Sequence, residues 1–184
     1  HLCTTTFQDV AKLSTSAPDF LLPPLIARGA LTLLTGAPKL GKTRFVLSLL
    51  KAALEGREFL GVTQKPVKAL YMSEMDPKGF GLYLNRYGLD GSPFLFEYFI
   101  DAPAVPWEMK VEAVFTQAKK AEVDLVVFDT VLRWAGTQDE EVNRYGSMNA
   151  ALWPLIKAKA SGVAVLAVHH DRKAGGSPGS RALG

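Results

Sequence analysis

The chain has 184 residues, 48% hydrophobic and 21% charged, which places it among ordinary globular proteins and excludes a disordered or fibrous one. Its one cysteine, Cys3, excludes a disulfide framework and points to a reducing compartment; no apolar run approaches the roughly 20 residues that span a bilayer, and no charged segment precedes an apolar leader. With 21 Lys and Arg against 18 Asp and Glu, a net +3, nucleic-acid contact is permitted but not demanded, and the expectation is a cytoplasmic protein with no membrane partner.

Residues 1–30 lack periodicity and contain Pro18, Pro23 and Pro24. They read as an irregular lead-in whose Phe20, Leu21, Leu22, Leu25 and Ile26 pack on the core domain. Residues 31–184 are expected to form that one core domain. Leu31–Thr35 reads as a short apolar strand; after a glycine-bounded turn, Phe45, Val46, Leu49 and Ala53 fall at helical spacing within 43–55, and Gly56 closes that helix. Ala69–Ser73 is the second strand, residues 76–87 form a helix with Phe80, Tyr83, Leu84 and Tyr87 on one side, and Leu95–Ile100 is an aromatic-rich third strand. Val111, Val114, Phe115 and Ala118 define an amphipathic helix over 108–121, with Lys119 and Lys120 at its negative end. Leu125–Phe128 and Val163–Val168 are uninterrupted apolar runs, the pattern of strands buried on both faces. Between them Met148, Leu152, Leu155, Ile156 and Lys159 mark another helix. This alternation predicts an α/β fold with a mostly parallel central sheet, helices on both faces, and chemistry at the carboxyl ends of the strands.

Polar residues with chemical capacity fall at those ends. Gly36-Ala37-Pro38-Lys39-Leu40-Gly41-Lys42-Thr43 satisfies the pattern G-x-x-x-x-G-K-[ST] between a strand and a helix, with Arg44 next along the helix. The glycines let the backbone curl until its N–H groups and the positive end of the helix face one phosphate. Lys42 would reach the β- and γ-phosphates, and the Thr43 hydroxyl would coordinate Mg²⁺, so ATP and Mg²⁺ are the expected ligands. Asp129 ends the run Leu125–Phe128, as a carboxylate that holds a Mg²⁺-bound water beside Thr43 would, and Thr130 adds a hydroxyl at the same edge. Glu74 and Asp76 follow the second strand, where a carboxylate can deprotonate the attacking water; Asp76 also suits a helix cap before Pro77, which favours Glu74 as the base. His169 and His170 close the last strand, where a histidine can donate to the γ-phosphate; the Cys and His supply is too small for a zinc site.

With these motifs in order, the chain resembles the RecA-like P-loop ATPases, the AAA-type superfamily of KaiC, DnaB and RecA, and within them the RepA-type plasmid replication helicases. The particular marks are Pro18-Asp19-Phe20-Leu21, Gly56-Arg57-Glu58-Phe59-Leu60-Gly61, Leu70-Tyr71-Met72-Ser73-Glu74, Phe128-Asp129-Thr130 and Val168-His169-His170-Asp171-Arg172-Lys173. The resemblance implies Mg²⁺-ATP hydrolysis with Glu74 activating water, assembly into a ring such as a hexamer with ATP between subunits, and a loop after His170 that faces the central channel and single-stranded DNA. Arg172, Lys173 and Arg181 are then candidate DNA or inter-subunit contacts. Members differ by one position in where the glutamate sits, which keeps Asp76 in view. The family continues past this point with at least one further strand, so the core is expected to be cut short, and a trans-acting arginine to lie beyond Gly184. The leading expectation is a helicase ATPase of plasmid, phage or mobile-element replication. The alternatives are a RecA- or KaiC-type recombination or regulatory ATPase, and a nucleotide-gated binding module that does not unwind DNA.

Overall fold

The computed structural model describes residues 5–13, 19–98, 105–136, 144–158 and 161–170. The first elements are a short helix, α1 (Phe7–Leu13), and a small antiparallel hairpin of β1 (Phe20–Leu22) and β2 (Ile26–Ala27). The lead-in therefore carries regular structure that its sequence does not announce, because strands of two or three residues are too short to show a period. Leu21, Leu22 and Ile26 are buried in the core as expected.

The core then runs through β3 (Leu31–Gly36), α2 (Lys42–Glu55), a second hairpin of β4 (Glu58–Phe59) and β5 (Val62–Thr63), β6 (Ala69–Ser73), α3 (Pro77–Tyr87) and β7 (Leu95–Tyr98). It continues through α4 (Trp107–Lys120), β8 (Leu125–Asp129), the single turn α5 (Val131–Trp134), α6 (Arg144–Ala158) and β9 (Ala164–His170). Gly56, at φ +63°, closes α2 as its sequence predicts, with its N–H on the Ala52 and Ala53 carbonyls. Phe99, Ile100 and Lys159, included in the predicted strand and helix, lie outside the described residues. Strand β9 runs past Val168 through both histidines, because pairing with β3 continues to the register Gly36 with His170.

Five strands pair in the order β3-β9-β8-β6-β7, and every neighbouring pair is parallel. The pleat divides their side chains between two cores. Tyr71, Leu125, Val127, Leu166 and Val168 face α2, Phe80 of α3 and the first hairpin. Leu70, Met72, Val126, Phe128 and Val165 face α4, α5 and α6. All residues of β6 and β8 are buried, and for β8 this explains the unbroken apolar run Leu125–Phe128. No helix among the described residues is long and apolar enough to cross a membrane.

The second core depends on Phe128, which is fully buried and meets the Trp107 ring edge-on at 5.6 Å. Phe128→Ala is expected to destabilise the protein by about 3–5 kcal/mol, the range for an aromatic cavity. Urea unfolding measures this, and a loss below about 1 kcal/mol would contradict the packing.

Candidate active site

Strand β3 delivers the chain to a loop that only particular backbone geometries can close. Lys39 sits at φ +66° and Gly41 at φ +87°, both left-handed, and Gly41 is the residue at the start of α2. Glycine takes that conformation without strain. No side chain caps α2, so the N–H groups of its first turn are available to an anion beside the positive end of the helix. Pro38, Lys39, Leu40 and Arg44 are exposed around this loop, and Ala37 is half-buried.

Lys42 is only 7% exposed, and its Nζ donates to the carbonyls of Gly36 at 2.6 Å and Ala37 at 2.9 Å. The ammonium is thereby folded over the loop's own entry, with one of its three donors left over. The next residue, Thr43, turns to the sheet. Its hydroxyl donates to Asp129 Oδ2 at 2.7 Å, joining the P-loop helix to the end of β8. Asp129 is buried and takes a second bond on the same oxygen, from the Tyr71 hydroxyl at 2.6 Å. Burial above all, and then the neighbouring Asp129 charge, push the Tyr71 phenol well above its ordinary pKa, so it remains a donor.

The second carboxylate stands one residue past β6. The Glu74 backbone N–H donates to the Asp129 carbonyl at 2.8 Å, which extends the ladder by one rung and brings both acids to one level. Thr130, buried after Asp129, donates its hydroxyl to Glu74 Oε2 at 3.0 Å. The Asp129–Thr130 peptide bond is cis. Glu74 itself is exposed, so the site holds one buried carboxylate and one open to water. Asp76 is engaged elsewhere: it caps α3, accepting from the Gly79 N–H at 2.9 Å, with Pro77 at the first helical position.

Direct hydrogen bonds thus bring Thr43 to Asp129 and Glu74 to Thr130, with Lys42 beside them on the loop. His170 stands opposite Gly36 and His169 opposite Thr35, so both reach the same edge. His170 Nδ1 is buried without a hydrogen-bond partner. Arg172, Lys173 and Arg181 lie outside the described residues. Sequence reading missed Tyr71, taken only as a strand residue, and the pairing of Thr130 with Glu74. The available signal was a phenol in a mostly apolar strand, where a buried hydroxyl needs a partner.

The residues present fit Mg²⁺. Thr43 and Asp129 supply hard oxygen donors already within 2.7 Å of one another. No group of three or more His, Cys, Asp or Glu that could hold a metal occurs among the described residues. A cation here would therefore keep waters and take phosphate oxygens, as Mg²⁺ does, rather than sit in an all-protein cage.

A family model described as an AAA domain matches residues 1–176. Among solved structures, the fold is similar to a KaiC-like protein from the hyperthermophilic archaeon Pyrococcus horikoshii, with a TM-score of 0.56 and 16% sequence identity. The match covers 80% of this chain and 66% of that one, so the chain spans slightly less than two thirds of its neighbour's length. At that identity the likeness is one of fold, and it is the predicted RecA-like α/β fold. No curated protein matches the chain in sequence.

Proposed function

Since this chain belongs to the AAA domain family, we propose that it binds Mg²⁺-ATP at the carboxyl edge of the sheet and hydrolyses it, as a RepA-like motor on single-stranded DNA. The observation that carries the ATPase part of this reading is the pair of hydrogen bonds, Thr43 to Asp129 and Thr130 to Glu74, at the mouth of the P-loop; the motor on DNA rests on the resemblance alone. The α2 N-terminus and Lys42 hold the phosphates; Thr43 and Asp129 hold Mg²⁺, which when bound neutralises charge on the β- and γ-phosphates. Thr130 anchors Glu74 through Oε2, leaving Oε1 to orient a water and take its proton. His170 lies beside Gly36 at the end of β9, an edge from which a histidine can donate to the γ-phosphate.

The partners follow from the same resemblance: a ring of copies, hexameric in the RepA-type case, with Arg172, Lys173 and Arg181 meeting DNA or a neighbouring subunit. Replication of a plasmid, phage or mobile element is the corresponding role. The ATPase rate is expected to rise severalfold with single-stranded DNA and to lose that stimulation steeply between about 50 and 200 mM salt, as phosphate contacts require. Hydrolysis that ignores DNA would favour the second reading, a KaiC-type regulatory ATPase. Binding without turnover would favour a nucleotide-gated module.

A further inference from the structure

Asp129 is oriented by more than its own strand. Two hydroxyls converge on Oδ2, Tyr71 at 2.6 Å and Thr43 at 2.7 Å. Tyr71 pairs in register with Val127, so it lies two residues back from Asp129 on the sheet face that meets α2. Its ring is held by an aromatic row: Tyr71 lies 4.8 Å from Phe80, and Phe80 stacks on Phe96 at 4.6 Å. Tyr71 is 3% exposed, so the ring has little freedom and the hydroxyl is delivered to one place. A carboxylate's own terminal torsion is broad and roughly two-fold. Asp129 therefore needs an outside group to choose its orientation, and Thr43 has a second task at the cation.

We propose that Tyr71 is a positioning residue of the nucleotide site, whose hydroxyl fixes the rotation of the Asp129 carboxylate so that it meets the metal in one orientation. The inference rests on the reading of Asp129 as the Mg²⁺ carboxylate. A phenylalanine would fill the same space against Phe80 and Phe96, so the hydroxyl separates this role from packing. Groups hydrogen-bonded to metal ligands typically cost about 10–100-fold in metal affinity when removed.

The test uses the full chain with ADP and Mn²⁺ as the spectroscopic probe, counting bound Mn²⁺ by electron paramagnetic resonance. Tyr71→Phe is expected to weaken Mn²⁺ binding in the presence of ADP by about 10–100-fold while metal-free ADP binding stays unchanged. Phe80→Leu keeps the hydroxyl but loosens the row that aims it, and is expected to weaken Mn²⁺ binding by a clearly smaller factor than Tyr71→Phe. Equal losses in the two variants, or a Tyr71→Phe loss that extends to metal-free ADP, would overturn the proposal in favour of packing. Asp129→Asn separates the premise. If it weakens Mn²⁺ binding and Tyr71→Phe does not, the role of Tyr71 is overturned alone; if Asp129→Asn also leaves it unchanged, the metal reading of Asp129 falls and the proposal with it.

Discussion

Replacing Lys42 by alanine is expected to lower ATP turnover by about 10²–10³-fold, the loss that accompanies removal of one preorganised charge-stabilising donor. Lys42 opens α2, only 7% exposed, and its Nζ is held by the Gly36 and Ala37 carbonyls. Its ammonium is therefore already held at the loop. The fold should tolerate the change. Both carbonyls sit on half-buried loop residues that water can reach, so the cost to stability is about 1 kcal/mol. Steady-state hydrolysis, fluorescent-nucleotide binding and a urea midpoint together check this. A folded Lys42→Ala protein that hydrolyses at the wild-type rate would remove the P-loop from the mechanism.

The P-loop was legible in the sequence because its function requires fixed spacing within one local segment, from Gly36 to Thr43. The parallel sheet was legible for a related reason: β8 and β9 carry the apolar runs Leu125–Phe128 and Val163–Val168, the mark of strands buried on both faces. What was not legible depends on partners far along the chain. Tyr71 meets Asp129 across 58 residues and Thr130 meets Glu74 across 56, through a register that no local pattern encodes. The hairpins β1–β2 and β4–β5 were missed because their strands are two or three residues long. The choice between Glu74 and Asp76 shows the same division. Sequence offered both acids for the base, and the fold gives Asp76 a capping bond while turning Glu74 toward Thr130.

Glu74→Gln should therefore separate binding from chemistry. The glutamine carbonyl can still accept from Thr130, so the side chain keeps its place, but it cannot take a proton. Turnover is expected to fall by about 10²–10⁴-fold, the usual contribution of a positioned base, with ATP affinity nearly unchanged. Asp76→Asn is the control: asparagine caps a helix as well as aspartate, so rate and stability should both hold. Normal hydrolysis by Glu74→Gln together with a slow Asp76→Asn would move the base to Asp76.

The most direct measurement is the identity of the nucleotide recovered from the protein after a single turnover with Mg²⁺-ATP. Wild-type chain is predicted to yield ADP and phosphate, and Glu74→Gln at the same occupancy to yield intact ATP. ADP from both would contradict Glu74 as the base, and ATP from both would contradict hydrolysis at this site.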